Sequence, residues 1–428
     1  MTRPVVAEMV VVGGGVIGAS IAYRLAQAGV AVTLVERRFP GSGISGASFS
    51  WVNSFDKKPA VYHQLNVRGI GEHWALAAEL GSLDLLHLDG ALAWGVSDDS
   101  AAAGGGPAGE VAPPGATPSA PTAPGAMPAE KAGVVKYRGQ SSEMGRGKLA
   151  AKVNATRANG YLIEEISPAE AMDLEPDLVI DRDAVPVVYL MPMEGWLETA
   201  ALAHRLVTAA GRRYSLRLIE GVVEAVAARG GEVGGVRLSD GTELAADMVI
   251  NATGPDGGRF ATLAGGQLPV QNSIGINMVS SAIPSQLRRV VHAGTIQLRP
   301  ESSTRVMLGG QNIDGTLVPG EQVAPDDPRA LGEVRLAATV MPALRHASLE
   351  SIRIGLRAVP GDGLSAIGPD PVVGGLYHAI THSGATLSAL VGRLACADLL
   401  GANPPELEPF RPARFLEAGA RGHAGSNE

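Results

Sequence analysis

The chain has 428 residues, enough for one large or two interleaved α/β domains, and 35 Lys and Arg against 43 Asp and Glu leave it a net charge of -8. That balance repels nucleic acid and anionic membrane surfaces, and aromatics at 4% supply no stacking platform for single strands, so small-molecule partners are expected. A single cysteine, Cys396, excludes an intrachain disulfide framework and any multi-cysteine metal or iron–sulfur site, and fits a reducing cytoplasm.

The apolar start VVAEMVVV is broken by Glu8, is too short to span a membrane and runs directly into glycines, so it reads as a first strand and not as a signal peptide. Val10–Val12 is continuous and β-branched, as suits a strand buried on both faces. Val16–Ala28 is apolar all round, as suits a helix packed on a sheet. Gly29 is placed to end that helix in the left-handed conformation, and VAVTLVE (Val30–Glu36) supplies a second strand. Together these open a βαβ unit.

Residues 97–130 change abruptly to a Gly/Ala/Pro-rich stretch nearly free of large apolar side chains, which cannot bury enough surface to offset its ordering entropy; a disordered surface insertion is expected there. Helical patterning resumes at Gly147–Asn159. ISPAEAMDLEP (Ile166–Pro176) has a helix start with Ser167 as N-cap, Pro168 first and Glu170 third. Arg217–Gly254 reads as short strands with glycine turns, ending in a buried strand Met248–Asn251 that returns to a glycine loop. Residues 268–345 are strand-rich, with TIQLRP and RVMLGG as candidates. The last block, GLYHAITHSGATLSALVGRLACADLLG, is a strand, a turn and a long helix in which Cys396 reads as an inert buried thiol. No internal repeat is visible.

Gly13, Gly15 and Gly18 satisfy G-x-G-x-x-G between a strand and a helix. The first allows a tight turn, the second lets backbone approach a pyrophosphate, and the third lets helix and strand pack closely, while the helix N-terminus points N–H groups at the anion. Glu36, ending the second strand, is the acidic residue expected for a ribose diol. Arg37 and Arg38 would suit a 2′-phosphate, but Glu36 favours the free diol.

Four segments together carry a resemblance: the opening turn, GSGISGASFSW (Gly41–Trp51), INATGPDGG (Ile250–Gly258), and GLRAVPGDGLSAIGP (Gly355–Pro369) followed by THSGATLSALVGRLACADLL (Thr381–Leu400). In these the chain resembles the D-amino-acid oxidase family of flavoproteins, which includes glycine, sarcosine and D-amino-acid oxidases and dehydrogenases. The resemblance implies an α/β, two-domain α+β fold: a Rossmann-type FAD-binding domain in three pieces (5–80, 196–266 and 351–415) interleaved with a mixed or antiparallel-sheet substrate domain (81–96, 131–195 and 267–350) around the 97–130 insertion. It implies FAD held by Gly13, Gly15, Val16, Ile17, Gly18 and Glu36, with Ser45, Ala47 and Ser48 near the phosphates or ring; no linking residue is apparent, and Cys396 inside the last long helix is a poor candidate, so the FAD is expected to be non-covalent. Val223 would meet adenine through its backbone, with strand core as the alternative, and Thr253 and Gly254 would touch the pyrophosphate. Ser383, Gly384, Ala385 and Thr386 form the helix start whose N–H groups would face the flavin N1/C2 edge, provided that Ser383 caps the helix.

Arg357 is the candidate carboxylate anchor. A guanidinium grips a carboxylate bidentately and so fixes the α-carbon, and RAVPGDG places Arg357 where the family's RPxTPDG arginine stands. An ion pair to a protein carboxylate is the alternative reading, and Arg353 the competing arginine. His382 is the candidate acceptor of the substrate ammonium proton, or else a hydrogen-bonded structural group; His292 and His378 rank below it. The chain departs from the family at Ala358 (proline expected), at Thr381 (glycine expected) and in the missing tyrosine of HAGTIQLRP.

The expected function is FAD-dependent oxidation of an amino acid or amine by hydride transfer to flavin N5, with oxygen or another electron acceptor. The alternatives are a tailoring flavoenzyme for a larger secondary amine, a non-catalytic FAD-binding subunit and, more remotely, a nicotinamide dehydrogenase. The sequence sets no oligomeric state.

Overall fold

The computed structural model describes residues 8–95, 145–229 and 231–416; the 97–130 insertion lies outside them. Strand Glu8–Val12, helix Val16–Gln27 and strand Ala31–Glu36 form the expected unit, with the two strands parallel (Met9 opposite Val32, Val11 opposite Leu34). Gly29 follows the helix at φ +85°, the left-handed geometry that glycine adopts without a Cβ penalty.

These strands centre a six-stranded sheet in the order 366–369, 376–380, 248–251, 8–12, 31–36, 217–220; all neighbours are parallel except the 366–369 edge. Its strands come from three separated stretches of chain. The period-2 alternation of a strand gives the sheet two different covers. Met9 and Val11 face a cluster that includes Leu25, Leu206 and Leu390 from three helices. Val10 and Val12 face Val223, Val226 and Val236 of an antiparallel three-stranded sheet. The continuous apolar run of the first strand is thus buried on both faces.

A second sheet of eight strands runs 349–360, 270–280, 305–309, 296–302, 290–293, 91–94, 188–191, 164–166. TIQLRP and RVMLGG are its strands Ile296–Ser302 and Arg305–Gly309, antiparallel neighbours. The capped helix forms as read: Glu170 N–H donates to Ser167 Oγ (3.2 Å) and Ser167 N–H to Glu170 Oε2 (2.7 Å) ahead of Pro168–Leu174. The boundary placed at residue 351 falls inside strand Leu349–Pro360, and the chain joins the six-stranded sheet at Ala366.

Strand 349–360 positions the site. Ile352, Ile354 and Leu356 pack on the eight-stranded sheet's own core, so alternation turns Arg353, Gly355 and Arg357 to the opposite face. Gly355 lies across from Gly275. A Cβ on Gly355 would collide with Ile44 of the short helix Ile44–Ala47. The absence of side chains there lets the segment after the second Rossmann strand reach this sheet.

Candidate active site

A cleft with about 1280 Å³ of empty space, its open mouth included, runs between the glycine turn and strand 349–360. It gathers Gly15, Val16, Ile17, Ser45, Ala47, Ser48, Gly254, Arg357, His382, Ser383, Gly384, Ala385 and Thr386 from segments hundreds of residues apart. Of the expected residues, Gly13, Gly18, Glu36, Val223 and Thr253 are not on its wall.

The three turn glycines differ in what holds them. Gly13 sits at φ +103°, and a Cβ there would collide with Ala252 O; a Cβ on Gly18 would collide with Gly13 O. Both are therefore required by the protein's own packing. Gly15 has φ -65°, ψ 174°, and its Cβ would meet only Ser45 Oγ at 3.4 Å. Its smallness answers to the cleft. Gly384 is similar, with Val16 Cγ1 at 3.7 Å as the nearest atom. Backbone left bare on the cleft at a helix N-terminus fits a dinucleotide phosphate.

Glu36, buried, accepts Gly14 N–H at 2.7 Å, Arg38 N–H at 3.2 Å and Ser42 Oγ–H at 3.4 Å. A carboxylate has about four lone-pair sites, so capacity remains for a ribose hydroxyl. Arg37 pairs with Asp256 at 3.5 Å and Arg38 donates to Ser42 O at 2.9 Å. Val223 packs its side chain into the core with Val10 and Val12. Thr253 Oγ1 donates to Asn251 Oδ1 (2.8 Å); Asn251 Nδ2 donates to Gly257 O (2.8 Å) and lies 3.1 Å from His378 Nδ1; and His378 Nε2 lies 2.9 Å from Asp370. His378, fully buried, belongs to this inner network and not to the cleft.

Helix Gly384–Leu399 begins at the cleft, and Ser383 occupies its N-cap position without the side-chain capping bond that the sequence suggested. Its hydroxyl is engaged elsewhere. It accepts Tyr62 OH at 2.8 Å and Lys57 Nζ at 3.4 Å. Thr386 Oγ1 accepts Asn53 N–H at 3.1 Å and ties the helix to the loop that carries Lys57. Burial pushes Lys57 down to about 8 against the opposing charges of Glu194 and Asp56. Glu194 is fully buried and raised to about 7 by that burial, although Ser54 N–H, Phe55 N–H and Tyr161 OH all donate to its Oε1 at 2.9 Å.

Arg357 does not stand alone: its Nη2 donates to Asp314 at 2.8 Å and its Nη1 to Ile274 O at 3.1 Å. Arg353 is bound to Glu301, which also takes Arg299 at 3.0 Å, and lies off the cleft wall. His382 Nε2 donates to Gly363 O at 2.9 Å; burial first, then the charges of Lys57 and Arg357, holds the ring down to about 4. His292 is buried under Trp51, with ring centroids 4.6 Å apart, and contacts Gln297. Trp51 and Gln297 line the cleft near the strand where the tyrosine is missing. Cys396 is buried in the helical core.

Lys57 and Asp314 were not singled out from the sequence. The first, in SFDKKP, reads as part of an ordinary solvated charged run. The second, in GGQNIDG, looks like an ordinary turn acid. No helix of the described residues is long and apolar enough to cross a membrane, and no group of three or more metal-ligating side chains exists among them.

The sequence model of the family described as FAD dependent oxidoreductase matches residues 8–397. The chain is 25% identical to glycine oxidase of Geobacillus kaustophilus (strain HTA426) over 422 residues, 96% of this chain and 97% of that protein. The crystal structure of glycine oxidase from Geobacillus kaustophilus aligns with TM-score 0.72 at 22% identity, covering 95% of this chain and 98% of that one. L-proline dehydrogenase from P. horikoshii aligns with TM-score 0.74 at 18% identity, covering 97% and 99%. At such identities the structural likenesses establish the fold.

Proposed function

Because the chain belongs to the D-amino-acid oxidase family of FAD-dependent oxidoreductases, we propose that it oxidises the C–N bond of an amino acid or amine, with FAD held non-covalently. The reading rests on one observation: the open glycine turn, the start of the last helix with Lys57 beside it, and Arg357 line a single cleft. The six-stranded sheet then serves the cofactor and the eight-stranded sheet the substrate.

When bound, FAD supplies a two-electron acceptor that takes a hydride from the carbon bearing nitrogen. The chain's residues do the rest. Gly15, Val16 and Ile17 offer backbone to the pyrophosphate, Glu36 accepts a ribose hydroxyl, and Gly384–Thr386 direct the positive end of their helix at the ring. Lys57, 3.4 Å from Ser383 Oγ, adds a full charge at that end. The donors of Arg357 left over from Asp314 and Ile274 O anchor a substrate carboxylate. His382, held neutral by burial with Nε2–H given to Gly363 O, contributes a polar wall of the cleft. Cys396, deep in the core, is out of reach for a covalent flavin link.

The direct test is anaerobic mixing of purified holoenzyme with amines and amino acids while its visible flavin bands are followed. A true substrate should bleach them. A colourless protein that takes up no added FAD would overturn the reading, and bands that no amine bleaches would leave a non-catalytic FAD subunit.

Lys57 makes a second, pH-dependent prediction. Its ammonium is present below its pKa of about 8 and lost above it. The negative charge that reduction places at the helix end is therefore favoured fully below pH 8 and progressively less above it. Lys57→Met should lower the midpoint potential of bound FAD by about 30–60 mV at pH 7, equivalent to a lost charge-assisted hydrogen bond of about 1.5–3 kcal/mol. The gap between wild type and variant should narrow above pH 8 and close above about pH 10, because reduction raises the Lys57 pKa by the same coupling. A constant gap across that range would show that Lys57 acts through structure alone.

A further inference from the structure

The substrate end of the cleft presents an ion pair, and the geometry shows it to be built. Asp314 Oδ2 accepts Arg357 Nη2 at 2.8 Å, while its other oxygen accepts Ile276 N–H at 2.8 Å. The carboxylate is thus bolted to the same strand that Arg357 grips through Ile274 O. Both side chains line the cleft, with Asp314 15% and Arg357 35% exposed. Room for the guanidinium is provided by Gly275, where a Cβ would collide with Arg357 Nη2. A second carboxylate lies behind the first: Glu333 is buried, bonded to Asn312 at 3.1 Å, and raised to about 7 by burial and in part by the charge of Asp314.

This arrangement is an awkward receptor for a bare anion. A ligand with one negative charge would sit against a cation that is already neutralised, with the Asp314 carboxylate beside it, in a partly exposed cleft. A ligand that also carries a positive charge leaves the local sum at zero and lays its own dipole antiparallel to the Arg357–Asp314 pair. Discrimination of this kind works by penalising the wrong ligand.

We propose that Asp314 is a specificity-determining residue that makes the Arg357 anchor charge-selective, closing it to net-anionic ligands and receiving the cationic nitrogen of zwitterionic ones. The proposal rests on the reading of Arg357 as carboxylate anchor.

The test uses two isosteric probes without an α-hydrogen, so neither is oxidised: 2-aminoisobutyrate, a zwitterion, and pivalate, its anionic counterpart. Binding to holoenzyme is read from the perturbed flavin spectrum. Wild type should prefer 2-aminoisobutyrate by roughly tenfold or more. Asp314→Asn should bind pivalate about tenfold tighter and 2-aminoisobutyrate about tenfold weaker than wild type does. A common factor for both probes in the variant, or a wild type that binds pivalate as tightly as 2-aminoisobutyrate or binds neither, overturns the proposal. The wild-type comparison stands even where the variant fails to fold. Arg357→Met, run in parallel, separates the two claims. If it weakens both probes while Asp314→Asn treats them alike, the anchor stands and the role of Asp314 falls; if it weakens neither, the anchor itself falls.

Discussion

Gly15→Val is expected to yield a folded protein that carries no flavin. Gly15 has an extended backbone open to any L-residue, and the nearest atom to its Cβ is Ser45 Oγ at 3.4 Å, an ordinary van der Waals distance. The chain itself therefore leaves room for a Cβ on this cleft-lining residue at the helix N-terminus. A branched side chain there takes up the place where backbone must meet a pyrophosphate. Overpacking costs about 1–3 kcal/mol and lost charge-assisted hydrogen bonds a similar amount, which together weaken FAD by roughly three powers of ten or more. Thermal unfolding of the variant should match that of wild-type apoprotein within a few degrees, whereas its visible absorbance should vanish. Gly18→Ala supplies the contrast: its Cβ would collide with Gly13 O, so it should lose stability and flavin together. A Gly15→Val protein that purifies with a full complement of FAD would mean that the turn does not face the cofactor.

The same difference between glycines marks how far the sequence could be read. The βαβ opening, the left-handed Gly29, the capping box at Ser167 and the two strands at 296–302 and 305–309 are local, because each is set by periodicity or turn chemistry over a short stretch. What could not be read is whatever depends on long-range register. Arg357 meets Asp314 only because strand 349–360 pairs with strand 270–280, which also binds Asp314 through Ile276 N–H. Lys57 meets Ser383 across more than three hundred residues because Thr386 holds its loop. Ser383 itself shows why a helix start read from sequence is incomplete: the position was right, but Tyr62 and Lys57 take the hydroxyl that would have capped the helix. In the same way, the ion pair read as the alternative for Arg357 forms with Asp314 while the residue still lines the cleft, so the pair does not remove it as the anchor we propose.

That double engagement shapes what Arg357→Met should do. Methionine keeps much of the side chain's length while removing its charge and all five donors. Breaking a buried hydrogen-bonded ion pair costs about 3–5 kcal/mol, but Arg357 is 35% exposed and solvent screens part of that. The expected fall in kcat/KM for a carboxylate-bearing substrate is therefore roughly two to three powers of ten, with FAD retained. Two effects add within it: the donors are gone, and Asp314 is left uncompensated to repel the incoming carboxylate. The double variant Arg357→Met/Asp314→Asn removes the second effect and should recover about tenfold over the single one, the non-additivity expected of paired charges. An amine of the same size without a carboxylate should lose little in the single variant, because Asp314, no longer neutralised by Arg357, attracts its cation. Equal losses on acid and amine with flavin retained would instead make Arg357 a brace between strands 270–280 and 349–360, and the carboxylate would have to find its partner elsewhere on the cleft wall.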